Sequence, residues 1–274
     1  MRRTRWILLA ALAASAALAQ TADQPEQGAA AEEEGVIDPR ADTQLKRMSD
    51  YLGRLKTFRV QAVVVDELVT TEGQKVQELK QQQLTVARPN KLRIDRRGPN
   101  GRATLASDGE SVVLINHDKN AYAKGTAPKT LDALVDRVRD TLEVDAPGGD
   151  FLVASPYEEL IDGLQTGRYI GLEPIGDVMA HHLAINEKDL DWQIWIQDGE
   201  QPVPLRYVIT SKDMPGHPQF TLELSRWEPS VKLSAETFTV KVPPNAKRIE
   251  RATKTTSLTP AAPSQARAPH RSSP

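Results

Sequence analysis

Two neighbouring histidines, His181 and His182, are side chains of a type that could hold a metal ion. They fall in a stretch with strand-like alternation, where consecutive side chains point to opposite faces. Zinc needs three or four nitrogen, sulfur or oxygen ligands that converge on one point. The sequence therefore predicts no metal site here, with one histidine facing outwards and the other facing inwards and bonded to a neighbour.

Asp189 and Asp191 are two residues apart, a spacing that could place two carboxylates around one glycosidic bond. They lie beside Glu187 and Lys188 between two predicted strands, and such clusters usually mark a solvated turn. The fixed-spacing motifs of hydrolases, nucleotide-binding proteins, zinc peptidases and EF-hands are missing, and the 274-residue chain has no cysteine. We therefore predict no catalytic residue, no metal and no cofactor. A hydrolase that uses His182 or Asp191 ranks third among the candidate functions.

The elements that position these residues are strands. Apolar and polar residues alternate over residues 192–196 and 205–209, with a Gly/Pro-bearing turn between, which is typical of a β-hairpin. The same period of two recurs over residues 58–122 and from residue 169 to a last predicted strand at 238–242. We count about ten or eleven strands, and strand twist makes so wide an antiparallel sheet curl. The predicted fold class is mainly β with a few helices: a curled, half-open antiparallel β-barrel.

Three helices interrupt the strands. Asp38 and Pro39 have the order of an N-cap and a first helical residue, and a helix of about four turns follows. Ser155 and Glu158 form a capping box that opens the third helix, which Gly167 closes. The apolar stripes are Leu45, Met48, Leu52 and Leu55 in the first helix, Leu131, Leu134, Val135, Val138 and Leu142 in the second, and Tyr157, Leu160, Ile161 and Leu164 in the third. The second and third helices are predicted to form a lid over the concave side of the sheet.

The chain ends have their own composition. Residues 1–19 show a basic start, a short apolar run and small residues at Ala17 and Ala19, the order of a secretory signal peptide. Cleavage is predicted after Ala19, which leaves no transmembrane segment in the mature chain and lowers the formal net charge from -2 to -5. No basic face indicates a nucleic-acid partner. We predict a disordered linker at 20–37, one β-barrel domain at 38–250 and a disordered tail at 251–274.

Specific sequence likeness is confined to residues 182–212. His182-Leu183-Ala184, then the run DWQIWI at 191–196 and PVPLRYVIT at 202–210, resemble a predicted periplasmic family of unknown function within the LolA/LolB superfamily. In that family a cysteine often precedes the histidine by two positions, where Ala180 stands here. The wider resemblance covers residues 41–247. It implies a periplasmic, LolA-like half-open barrel that is closed by a helical lid and handles lipid or acylated protein.

The sequence therefore favours a non-enzymatic binding protein that holds an acyl chain or another elongated apolar ligand under the lid. The predicted lining residues are Val60, Val64, Leu92, Ile94, Trp192, Ile194, Leu205 and Tyr207 from the strands, and Leu131, Leu134, Val138, Tyr157, Leu160 and Ile161 from the lid. A solid core is equally compatible with these stripes. In that case the alternative function is an envelope sensor or scaffold that binds a partner protein with its barrel filled.

Overall fold

The computed structural model describes residues 36–142 and 148–249, and the strands in these ranges all belong to one sheet. In chain order they are β1 Val36–Ile37, β2 Thr57–Val69, β3 Lys75–Ala87, β4 Lys91–Gly98, β5 Gly101–Ser107, β6 Ser111–Asn116, β7 Ala121–Thr126, β8 Leu164–Ile175, β9 Val178–Glu187, β10 Leu190–Gln197, β11 Pro204–Ser211, β12 Gln219–Pro229 and β13 Lys247–Arg248. Eleven of these strands have six residues or more, in agreement with the predicted number. The other two have only two residues each, too few to show a period.

Two meanders make up the sheet, β2 to β7 and β8 to β12, and pairing of β12 with β2 joins them. Neighbours along both meanders are antiparallel, whereas the short strands β1 and β13 run parallel to β8 and β7. Among the described strands, β8 and β7 therefore lie near opposite ends of an open sheet. The predicted mainly β fold, a half-open curled sheet with few helices, is confirmed.

Helix α1, Pro39–Arg54, begins where proline fixes the first helical φ angle and Asp38 accepts a hydrogen bond from the Arg40 amide at 2.8 Å. Its apolar residues recur at spacings of three and four, so they lie on one face. Leu45, Met48 and Leu52 on that face are fully buried in the main core. The N-terminal helix is thus part of the filling of the sheet's concave side.

Between β7 and β8 the chain forms helix α2, Leu131–Leu142, a 3-10 turn at Gly149–Phe151 and helix α3, Pro156–Ile161. We call the described residues of this connection, 131–142 and 148–161, the lid. Because β7 and β8 lie near opposite ends of the sheet, the lid connects the two sides of its opening. Leu131, Leu134 and Leu160 are at most 3% exposed and join the main core, as the predicted stripes require.

The third helix is shorter than the sequence pattern predicts. It ends at Ile161, Leu164 already opens β8, and Gly167 lies inside that strand. Gly163, with φ at +83°, stops the helix instead, since this angle suits glycine. Ser155 is the N-cap but makes no side-chain capping hydrogen bond, so the predicted capping box is wrong.

The predicted strand at 238–242 is also wrong. The chain there ends a 3-10 turn, Ala235–Phe238, which lies against the outer face of β4. Arg93 Nη1 donates to the Thr237 carbonyl at 3.2 Å, and Phe238 is 3% exposed outside the main core. These contacts hold the segment against the sheet face, and residues 238–242 pair with no strand among the described residues.

The predicted segment boundaries lie mainly outside the described residues, including the signal peptide at 1–19 and the tail at 251–274. Of the predicted linker at 20–37, Val36 and Ile37 are described and form β1. Within the ranges that the structure describes, no helix has both the length and the apolar character to span a membrane.

Candidate functional site

The fourteen residues predicted to line a ligand site lie together. Ten of them are 9% exposed or less, and Ile94, Val138, Tyr157 and Ile161 are partly buried against the same cluster. The buried ones are Val60, Val64, Leu92, Leu131, Leu134, Leu160, Trp192, Ile194, Leu205 and Tyr207. Strand alternation and helical spacing thus bring them to one interior surface. Their contact with a ligand remains a prediction.

The lid fills the space in front of the strands. Phe151, 4% exposed, meets the Tyr207 ring edge-on at a centroid distance of 5.3 Å, and Tyr207 meets Trp192 at 5.6 Å. A β-carbon on Gly148 would lie 2.6 Å from the Leu222 side chain on β12. The lid therefore crosses the concave face in close contact. The sequence pattern missed Phe151 because it follows a Gly-rich joint; a lone aromatic residue there was the available signal.

Arg88, in the β3–β4 connection, hydrogen-bonds backbone carbonyls of the lid and of α1. Its guanidinium donates to the carbonyls of Leu152 at 2.7 Å and Val153 at 3.1 Å, with a longer contact to Leu52 at the end of α1. Burial lowers the pKa of Arg88, and nearby Asp132 opposes that shift. An arginine stays protonated in proteins even so. The sequence offered no signal for this role, because the donor and its acceptors are far apart in the chain.

Helix α3 docks on α1 through a second polar group. The Tyr157 amide donates to Ser49 Oγ at 2.9 Å, and the Tyr157 hydroxyl donates to Asp42. Lys46 also donates to Asp42, at 2.8 Å. Burial alone would raise the pKa of Asp42, but the hydrogen bonds from Lys46 and Tyr157 outweigh it and lower the pKa. The carboxylate therefore stays charged and keeps accepting both bonds near neutral pH.

His181 and His182 lie on opposite faces of β9, as strand alternation predicts. His181 bonds Tyr169 at 2.9 Å and Asp198 at 3.0 Å. His182 bonds Glu173 and Gln193 at 3.0 Å each and stacks on the Trp195 ring at a centroid distance of 4.0 Å. Within the described ranges, no group of three or more histidine, aspartate or glutamate side chains could hold a metal ion.

At the β9–β10 turn Lys188 and Asp189 are exposed and the Asp191 side chain is 46% exposed, as predicted for a solvated turn, but Glu187 departs from the prediction. Glu187 is 3% exposed and accepts a hydrogen bond from Trp192 Nε1 at 2.8 Å. Asp191 accepts from Asn186 at 2.7 Å and from Lys212 at 3.0 Å. Glu187 is buried because its strand position faces the interior, next to an indole N–H that needs an acceptor.

The surface clefts on the described part of the chain include the following two. One, of about 670 Å³, lies where β1 and the start of α1 meet residues 166–168 of β8. The other, of about 550 Å³, crosses polar residues of β2 to β5. Neither is lined by any of the fourteen predicted residues. Since ten of the fourteen residues are already buried in one packed cluster, an apolar ligand in the interior would have to displace part of that packing.

Solved structures with similar folds share little sequence with this chain. An uncharacterised conserved protein from Thermus thermophilus has 13% identity and a TM-score of 0.46, covering 77% of this chain and 99% of its own. The Mycobacterium tuberculosis lipoprotein LppX has 12% identity and a TM-score of 0.46, covering 72% and 100%. A LolA superfamily protein from Nitrosomonas europaea has 12% identity and a TM-score of 0.39, covering 73% and 97%. Likenesses at this level carry no argument about function.

The curated proteins include no significant match to the sequence. A family model described as "Predicted periplasmic protein (DUF2092)" matches residues 41–251, most of the chain and nearly all of the described sheet. This match confirms the predicted periplasmic family that the motifs at residues 182–210 resemble. The chain belongs to the DUF2092 family of predicted periplasmic proteins.

Proposed function

We propose that this protein is a non-enzymatic periplasmic binding protein that holds an acyl chain or another elongated apolar ligand beneath its lid. The ligand is a lipid or the acyl group of a modified protein. The proposed binding surface is the set of fourteen interior residues defined above, and the helices of the lid are its movable part.

One observation carries the proposal: the lid itself places apolar side chains on the concave face, where an apolar ligand would lie. Leu131, Leu134 and Leu160 are at most 3% exposed, and Phe151 covers Tyr207. The lid lies between strands near opposite ends of the open sheet, so it can lift without breaking strand pairing. A ligand that enters would replace one set of apolar contacts with another.

The free energy gained by burying an acyl chain is comparable to the free energy lost by uncovering the apolar side chains of the lid. An acyl chain gains about 0.8 kcal/mol per buried CH₂, so fourteen to sixteen methylenes gain roughly 11 to 13 kcal/mol before ordering costs. Uncovering the four lid side chains costs about 1.5 to 3 kcal/mol each, or roughly 6 to 12 kcal/mol together. The difference is small enough for a ligand to be both bound and released. A carrier that hands its ligand on requires that balance.

Native mass spectrometry of protein purified from the cell envelope without detergent tests the proposal. The expected spectrum contains a species heavier than the bare chain by the mass of a lipid, which solvent extraction then identifies. If no such species is present, and a fluorescent acyl probe does not bind the purified protein, the carrier function is refuted.

The filled interior also favours a second candidate, a sensor or scaffold that binds an envelope protein. Four large apolar side chains on the β8–β9 hairpin, Ile170, Leu172, Val178 and Met179, are each 39% to 51% exposed and could contact such a partner. Capture of one specific protein by crosslinking in the envelope, with no bound lipid, would support this candidate over the carrier.

A further inference from the structure

On β3 and β4 the concave face changes from apolar to polar between two successive inward residues, from Leu84 to Gln82 and from Ile94 to Arg96. Aligned across β2 to β5, Val60, Leu84, Ile94 and Leu105 form an apolar row. The next inward row, about 7 Å further along the strands, consists of Ala62, Gln82, Arg96 and Ala103. A cation and an amide therefore stand at the border of the proposed apolar surface.

Arg96 points to the concave side with Leu92 and Ile94, because β4 pairs with both neighbours without a register shift. It is partly exposed, and within residues 36–142 and 148–249 its side chain makes no hydrogen bond or ion pair. Its row neighbour Ala103 is small and partly exposed, whereas Ala62 is 3% exposed and packs in the main core, so the guanidinium stands directly beside apolar surface.

The other charged groups nearby are already engaged. Lys80, further along the same face, pairs with Asp66. On the opposite face of β4, Arg97 donates to Gln81 at 2.7 Å, and Asp95 is bonded to Arg93 at 2.7 Å. Arg96 is thus the cation of this group whose donors are free to meet a ligand.

We propose that Arg96, assisted by Gln82, binds the anionic head group of an amphipathic ligand whose chain lies on the apolar rows. A guanidinium presents paired N–H donors that match the oxygens of a carboxylate or a phosphate. The inference rests on the proposed carrier function and narrows its ligand to an anionic amphiphile, such as a fatty acid or a phosphorylated lipid.

Displacement of a fluorescent acyl probe by dodecanoate, dodecyl phosphate and 1-dodecanol, at pH 7.5 and low salt, tests the inference. The three competitors share one chain and differ only in the head group. We expect one or both anions to bind about tenfold or more tighter than the alcohol, as a charge-assisted hydrogen bond predicts. The relative affinities of the two anions distinguish a carboxylate site from a phosphate site.

Two variants localise the effect. Arg96→Gln should bring the anions and the alcohol to similar affinities, whereas Arg97→Gln, which changes the neighbouring arginine on the opposite face, should leave the preference intact. Arg96 has no hydrogen-bond or ion-pair partner to lose among the described residues, and Arg97 loses only its exposed hydrogen bond to Gln81, so both variants should fold, which their thermal unfolding checks.

The possible failures are distinguishable. If all three competitors bind with similar affinity to the wild type, or if the preference survives in Arg96→Gln, the head-group site is wrong and the apolar carrier stands. If none of the competitors nor the acyl probe binds, the carrier function fails and the head-group site fails with it.

Discussion

Substitution of Arg88 by methionine should release the lid while leaving the sheet folded. Methionine keeps the apolar stem of arginine and removes the guanidinium that donates to the carbonyls of Leu152 and Val153 at 2.7 and 3.1 Å. Both carbonyls then need water, which reaches them most easily if this part of the lid lifts. The expected change is therefore local opening of the lid.

The size of the effect follows from these two bonds. A hydrogen bond to a charged group contributes about 1.5 to 3 kcal/mol. Burying the Arg88 charge costs part of that gain, as its lowered pKa indicates. A net loss of about 2 to 4 kcal/mol remains, which corresponds to a fall in lid protection of roughly 30- to 1,000-fold.

Hydrogen exchange read by mass spectrometry resolves this prediction by segment. Amides at residues 149–161 should exchange much faster in Arg88→Met, whereas those of β10 and β11 should keep protection close to that of the wild type. Arg93→Met is a matched control, because Arg93 donates to the Thr237 carbonyl on the outer face. It should loosen residues 235–238 and leave the lid unchanged. Unchanged amide protection at residues 149–161 in Arg88→Met, or an equal loss of protection in every strand, would refute the role of Arg88 in holding the lid closed.

Two further predictions concern glycine contacts and pH. Gly148→Ala should lower the melting temperature by several degrees more than the control Gly73→Ala. Both glycines have φ near +85°, but only at Gly148 would the new β-carbon meet another side chain, that of Leu222 at 2.6 Å. This clash costs about 1 to 3 kcal/mol more. Equal melting temperatures would show that the lid does not press on β12. Hydrogen bonds from Arg40 lower the pKa of Asp38 from 3.8 to about 2, so its stabilisation is complete above pH 3.8 and is lost as the pH falls towards 2. Between these pH values the melting temperature should fall more steeply with decreasing pH in the wild type than in Asp38→Asn. Identical slopes of melting temperature against pH would contradict this role of Asp38.

The strand pattern was predictable where a strand has one buried face, as in β10. Trp192 and Ile194 alternate with polar residues and are at most 2% exposed, and the same rule separates His181 from His182. The start of α3 at Pro156 was predictable for a similar local reason, since proline fits the first turn of a helix.

Features that depend on distant partners were not predictable. Glu187 looked like a turn residue, yet it is buried because Trp192 donates to it across the hairpin. The end of α3 was misplaced because pairing with β9 extends β8 back to Leu164, past Gly167, which the sequence pattern predicted as the helix end. Arg88 meets acceptors more than sixty residues away in the chain, and no local pattern encodes such a contact.

The most direct test of the central claim is acyl-probe binding to a protein whose lid can be locked. Ser49 Oγ lies 2.9 Å from the Tyr157 amide nitrogen, and the sequence has no cysteine, so Ser49→Cys combined with Tyr157→Cys can form a single disulfide between α1 and α3. Mass spectrometry verifies the bond, and Ser49→Cys alone controls for the oxidant. The reduced protein should bind the probe, and the oxidised protein should bind it at least about tenfold more weakly, since the locked lid blocks the interior. Equal binding in both states, or no binding in either, would contradict the account of a lidded apolar carrier.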